Sequence, residues 1–299
     1  MNTNSLICVL GADTLIGSAL VSSLARAGLN NLVSDLADRP EYVFVAAGRS
    51  GGILANQRFP ADLCLDNLLV AINVLPEALR IGVKRLLYLG SSCVYPKYAP
   101  QPLSAGMLMT GLLEQTSDAY AMAKLAGMKL CNAYRRQYAA PFITAIPADA
   151  YGPGVEFDAE EAHVIPSLLV KMQKAKQLEL PAISLWGTGT PRREFTHADD
   201  IADACITVMR NYDSDLPINI GSGEMHSIRE LAEMIRNIVG FAGELHWDHT
   251  HADGNPVKWL DTKPLRDLGW RATHSPDSGL RQTYSSLLET ESFVRSTSR

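Results

Sequence analysis

Lys84 to Lys124 reads KRLLYLGSSCVYPKYAPQPLSAGMLMTGLLEQTSDAYAMAK, and its two ends set the expectations for the chain. At the start, the apolar run Leu86–Leu89 has the length of a buried strand and stops at Gly90 in a cluster of small hydroxyl residues. At the end, Tyr120 and Lys124 stand four residues apart, a spacing that stacks phenol and ammonium on one face of a helix. The pairing has a chemical logic. A free tyrosine has a pKa of about 10, and a lysine one turn away is expected to lower it by favouring the phenolate. Such a tyrosine can exchange a proton with a sugar or alcohol oxygen while a serine hydroxyl from the strand end, Ser91 or Ser92, holds that oxygen. YxxxK alone also occurs on solvated helix faces; the serine-bearing strand end upstream turns the pair toward catalysis.

Working outward, the composition is that of a globular protein with a large core: 299 residues, 46% hydrophobic and 20% charged. The formal net charge of −5 comes without any run of lysines or arginines, so neither nucleic acid nor an anionic membrane is expected as a partner. No apolar stretch reaches the roughly 18 residues of a membrane span, and the start lacks the features of a signal peptide, so a cytoplasmic location is expected. The cysteines, Cys8, Cys64, Cys93, Cys131 and Cys205, are odd in number and without a CxxC pair, which argues against disulfides and zinc.

Upstream, Ser5–Leu10 reads as a buried strand ending at Gly11, and Leu15–Ala27 as a helix. Strand, glycine turn and helix form the phosphate-binding opening of a Rossmann unit. Gly11 and Gly17 keep the outer glycines of the fingerprint, whereas Thr14 occupies the middle position, where a side chain is expected to narrow the approach of cofactor phosphates. Only about a dozen residues then precede the strand Tyr42–Ala47, so the second strand of a full Rossmann half is expected to be deleted or much reduced. Helices are expected over Asn67–Leu79 and Tyr120–Tyr138, with a strand at Phe142–Pro147. The alternation predicts an α/β fold, a Rossmann-type doubly wound parallel sheet with a smaller C-terminal α/β substrate lobe. Residues 1–153 form the cofactor-binding domain, completed by about 194–220, and residues 154–193 and 221–299 the substrate lobe. That second part is expected to hold helices at Ile165–Gln177, Ile201–Met209 and Arg229–Val239, a last sheet strand at Pro217–Ile220, and a loop-rich tail.

Ser91, Tyr120 and Lys124 resemble the triad of extended short-chain dehydrogenase/reductases. The strings GSSCVYPKYAPQPL and DAYAMAKLAGMKLC, followed in order by AHVIPSLL, WGTGTPRREFTHADD, NIGSGE and SIRELAEMI, resemble the GDP-L-fucose synthase family, over about Ala46 to Leu288. The resemblance implies an epimerase/reductase acting on a GDP-4-keto-6-deoxy sugar with NADP(H), NAD(H) being the alternative, and a homodimer packed through the Tyr120 helix and a neighbouring helix. It implies that Cys93 is a base and His163 an acid in epimerisation beside the 4-ketone. It places the cofactor on Gly11, Thr14, Leu15, Ile16, Gly17, Tyr120, Lys124, Pro147 and His163, and the substrate on Ser92, Asp149, Lys171, Trp186, Arg193, Asp253 and Lys258. Besides Thr14 and the shortened second strand, the chain departs from the family at Arg49, where lysine is common, and in three further places. Asp13 replaces an arginine near the adenosine phosphate and would repel a 2′-phosphate. Asp149 stands for asparagine and loses an amide donor toward the substrate. Lys171 stands for a second arginine.

Arg193 carries a planar fork suited to a diphosphate, and Trp186 offers a face for the sugar or base. His246, His249 and His251 in HWDHTHADG read as a solvated loop, and no metal is assigned. Two rivals to the reductase stay open: an enzyme that epimerises without reducing, because the shortened cofactor half holds no dinucleotide, and a non-catalytic sugar-nucleotide binding protein.

Overall fold

The computed structural model describes residues 1–157, 162–251 and 253–297. In chain order the elements are β1 (Ile7–Leu10), α1 (Leu15–Arg26), β2 (Leu32–Val33), β3 (Tyr42–Val45), α2 (Ile53–Arg58), α3 (Pro60–Ile81), β4 (Arg85–Leu89), α4 (Asp118–Tyr138), β5 (Phe142–Pro147) and β6 (Asp149–Tyr151). There follow α5 (Val164–Gln177), β7 (Ala182–Trp186), β8 (Arg192–His197), α6 (Ala198–Asn211), β9 (Ile218–Ile220), β10 (Met225–Ser227), α7 (Ile228–Val239), β11 (Glu244–Asp248), β12 (Val257–Lys258), α8 (Lys263–Asp267) and α9 (Pro276–Thr297).

Six strands form one parallel sheet in the order β2-β1-β3-β4-β5-β9. Alternation along the strands sorts the core between its two faces. Phe44, Leu87 and Leu89 pack toward α1 and α6, whereas Val43, Val45, Leu86 and Tyr88 pack toward α3 and α4. Both faces are covered, so Val43–Val45 and Leu86–Leu89 are unbroken apolar runs. A smaller sheet, β10-β8-β12 with β6 on β8, and the pair β11-β7 lie with α5, α7 and α9 around a separate apolar cluster.

Local signals explain several boundaries. Thr14 caps α1 by accepting from the Gly17 amide, and Ser227 with Glu230 closes a capping box on α7. Pro60 starts α3 earlier than the expected Asn67, since proline suits the first helical turn, and left-handed Gly82 ends it. The second strand survives as the two residues of β2, and the crossover to β3 is one 3-10 turn, Leu36–Asp38, in place of a helix. Two expectations fail. The tail is not loop-rich: α9 runs 22 residues and buries Leu280 and Leu287 against the second core. Nor is HWD a loop, because His246 to Asp248 lie in β11, paired with Ser184 to Trp186. Among the described residues no helix is long and apolar enough to cross a membrane.

The approach of α4 to β4 positions the site. A Cβ at Gly127 would stand 2.3 Å from the Tyr88 hydroxyl, and one at Gly90 2.5 Å from Met128 Sδ, so glycine at both points lets the helix sit on the strand end. Gly127→Ala is therefore expected to destabilise the fold by about 1–3 kcal/mol, read from denaturant unfolding. Tyr88→Phe, which removes a buried hydroxyl without a partner, should leave stability unchanged or raise it.

Candidate active site

The sheet's carboxyl edge gathers the sequence candidates. Beyond β4, Ser91 caps a 3-10 turn, Ser92–Val94, by accepting from the Cys93 amide at 3.3 Å, which holds Ser91, Ser92 and Cys93 in a tight bend. Tyr120 and Lys124 are both buried on the inner face of α4. The Lys124 ammonium donates to the carbonyls of Leu89 (3.3 Å) and Ala47 (3.4 Å), where β4 and β3 end, and lies 5.5 Å from the centre of the Tyr88 ring.

The electrostatics correct the expectation of a phenol made acidic by its lysine. Burial pushes the Tyr120 phenol well above its ordinary value, nearby Cys93 and Asp149 add to this, and a hydrogen bond with Ser91 pulls the other way. Burial also pulls Lys124 down to about 8. Desolvation dominates at both groups, so the resting tyrosine keeps its proton. A protonated phenol is the form needed to donate to an oxygen that gains negative charge.

Asp149, at the exit of β5, links the remaining groups. Its carboxylate accepts from Lys258 Nζ at 2.6 Å and from Ser92 Oγ at 3.3 Å. Burial opposes ionisation, but Lys258 outweighs it, helped by Arg193 and His163, and holds Asp149 below the usual carboxylate range. Asp149 and Lys258, both expected at the substrate, are partners in one ion pair, so an aspartate at this position is matched to the lysine. No local pattern joins positions 109 residues apart.

His163 precedes α5 and is exposed along the cleft. The surrounding protein lowers its pKa, Asp149 opposes this and Lys258 adds to it. Arg193, on β8 opposite Lys258, is close enough to Asp149, Cys93, Glu114 and Asp253 to be held charged by them, although burial lowers its pKa.

The outer rim is zipped together. Trp186, half exposed, stacks on His251 at 4.4 Å, and Asp253 accepts from the Thr188 amide (3.1 Å) and hydroxyl (2.7 Å). Lys171 donates to the Ser184 carbonyl on the strand that carries Trp186. His249 is exposed, and His246 faces Glu244 at 3.4 Å. Sequence reasoning missed Glu194, buried beside Arg193, which accepts from the amides of Gly223 (2.7 Å) and Leu260 (2.8 Å) and is pushed up to about 7 by burial. It also missed fully buried Asn67, whose amide donates to the Arg49 and Leu63 carbonyls beneath Gly48.

The opening turn fits the pyrophosphate of a dinucleotide. Gly11 has φ +83 and passes against Ala46 and Ala47, and a Cβ at Gly17 would stand 1.8 Å from the Gly11 carbonyl oxygen. The Thr14 hydroxyl does not obstruct the approach as expected, because it folds back onto the carbonyls of Gly11 (2.8 Å) and Ala46 (3.3 Å). The Leu15 and Ile16 amides remain at the helix start, where a phosphate would meet them. Pro147, at the other end of the cleft, lies past the last pairing of β5 with β4, where no ladder donor is needed on that side.

A parallel Rossmann-type sheet with a serine, tyrosine and lysine at its edge defines a nucleotide-dependent enzyme of the short-chain dehydrogenase/reductase type. Residues 29–221 match the model of the NAD dependent epimerase/dehydratase family. GDP-L-fucose synthase 1 of Arabidopsis thaliana is 44% identical over 93% of this chain and 91% of its own length. The crystal structure of a GDP-6-OMe-4-keto-L-xylo-heptose reductase from C. jejuni superposes with a TM-score of 0.91 at 32% identity, covering 97% of this chain and 99% of that one. A GDP-mannoheptose C4 reductase from Campylobacter jejuni with NADP bound gives 0.86 at 33% identity, over 96% and 99%. The chain belongs to the NAD dependent epimerase/dehydratase family, in the branch that contains the GDP-L-fucose synthases.

Asp149→Asn strands the Lys258 charge, whose side chain is only 9% exposed. The variant should lose about 1–3 kcal/mol at pH 7, discounted from a fully buried pair because Asp149 is partly open to water. Lys258→Met in the same background should restore much of the loss. Because the carboxyl is depressed on folding, the pair's contribution is present above about pH 4 and fades as pH falls through the folded value. Unfolding curves against pH check both.

Proposed function

We propose that the chain is an epimerase/reductase of a GDP-linked 4-keto-6-deoxy sugar, of the GDP-L-fucose synthase kind. The observation that carries the reading is the gathering at one sheet edge of Ser91, Ser92 and Cys93 in the bend after β4, of buried Tyr120 and Lys124 on α4, and of Asp149 at 3.3 Å from Ser92, with His163 at the start of α5. Hydrogens on the carbons beside a ketone are acidic, and Cys93 and His163 are the pair to remove and return them. A bound nicotinamide dinucleotide would supply hydride to the ketone carbon. Tyr120, protonated at rest, then donates to the oxygen, with Ser91 holding that oxygen and Lys124 stabilising the phenolate left behind. Arg193, Lys171 and the Trp186–Asp253 rim are assigned to the sugar nucleotide, and residues 154–193 and 221–299 to its lobe. The cytoplasm is the proposed compartment.

Incubation with GDP-4-keto-6-deoxymannose should consume reduced nicotinamide and, in deuterium oxide, exchange hydrogens at C3 and C5. Cys93→Ser should abolish exchange, and Tyr120→Phe should cut reduction about 10²–10⁴-fold while leaving exchange. Reduction should also decline as pH rises through about 8, where Lys124 loses its proton. Exchange without nicotinamide oxidation would select the epimerase-only reading. Binding without either would select the non-catalytic one. The relatives named as C4 reductases of heptoses favour a second substrate reading, a GDP-linked 4-keto heptose, tested in the same assay.

A homodimer is part of the proposal. Leu65, Leu69 and Ile72 expose an apolar stripe along α3, and Met122 is exposed on the adjoining α4. Leu69→Glu with Met122→Glu should convert the dimer to a monomer in sedimentation or light scattering; a wild-type protein that is already monomeric sinks this part.

A further inference from the structure

In open α/β sheets of this type the exit of the second strand meets the adenosine ribose: an acid there bonds the free 2′-hydroxyl, and an arginine accommodates a 2′-phosphate. Pairing of Ile7 with Leu32 and Cys8 with Val33 sets the β2 exit directly beside the β1 exit. Asp35 stands two residues past β2, Asp38 closes the 3-10 turn after it, and Asp13 lies in the turn after β1. All three are exposed.

The local chain holds these charges in place. Asp35 Oδ1 accepts from the Ala37 amide at 2.8 Å, so the carboxylate is anchored while its second oxygen stays available. Behind the burial of Cys8, Asp35 and Asp38 both contribute to pushing that thiol up to about 12, which puts both carboxylates near β1. The neighbouring arginines lie beside other carboxylates. Arg39, in the left-handed region at φ +56, is near enough to Glu77 on α3 to favour its ionisation, though Glu77 is ion-paired with Arg80, and Arg26 is at the far end of α1, on Ser23 and Asp199. With one 3-10 turn in place of a crossover helix, residues 34–41 supply no other arginine or lysine.

We infer that this ribose end selects an unphosphorylated adenosine, so that the chain takes NAD(H) in preference to NADP(H), with Asp13 and Asp35 as the discriminating residues. The inference rests on the dinucleotide-dependent reading above and reverses the NADP seen in the related C4 reductase. A 2′-phosphate brought there would face the carboxylates of Asp13 and Asp35, with the nearby arginines placed toward Glu77 and Asp199, whereas a 2′-hydroxyl can donate to Asp35.

The test is direct binding of NADH and of NADPH to the full-length protein, by calorimetry and by quenching of intrinsic fluorescence, without sugar substrate. NADH should bind at least about tenfold more tightly. Asp13→Asn with Asp35→Asn, which keeps a capping acceptor at position 35, should shrink that ratio at least about fivefold, chiefly by tightening NADPH. NADPH binding as tightly as NADH, or a ratio unmoved by the substitutions, overturns the inference. Failure of both nucleotides to bind also overturns it, and takes the reductase reading with it. Tight NADH binding with no turnover of any GDP-keto sugar upholds the discrimination and removes the substrate assignment alone.

Discussion

Lys124 is buried against the carbonyl oxygens of Ala47 and Leu89 and the ring of Tyr88, and much of the site follows from that. A desolvated ammonium resists its charge, which explains its descent to about 8, and the same dry surroundings keep Tyr120 protonated. The arrangement exists because α4 can settle on the end of β4, and two missing side chains, at Gly90 and Gly127, allow it. Close packing and acid–base character are thus one constraint at this edge.

A second brace crosses from the large sheet to the smaller one. Asp149 comes from the chain leaving β5, Lys258 from β12, and β12 pairs with β8, which carries Arg193 and Glu194. Arg193 faces the cleft's charges, while buried Glu194 ties the turn after β9 and the segment after β12 to the same strand. Arg193 is therefore held by a strand clamped on both edges. Asp200 performs a similar service further along, accepting from the Thr273 and His274 amides and fastening the approach to α9 onto the first turn of α6.

Much of the large sheet was legible because its signals are local. Val43–Val45 and Leu86–Leu89 are short apolar runs with turn residues after them, and a strand buried on both faces needs little else. The shortened second strand was visible as missing length. The tail misled because α9 spaces its buried leucines seven apart among polar residues, a pattern that becomes a helix once the second core gives those leucines something to pack on. His246 likewise reads as part of a polar loop until β7 supplies an edge.

The chain's own order of residues determined the alternating α/β plan, the tyrosine–lysine spacing on one helix face and the glycine turn that meets a pyrophosphate, since each depends on neighbours within a few residues. Tertiary structure alone decided the directions in which Tyr120, Lys124 and His163 are shifted, the union of Asp149 with Lys258, and the stacking of Trp186 on His251. Those depend on burial and on charges brought together from distant positions, and a one-dimensional pattern carries neither quantity.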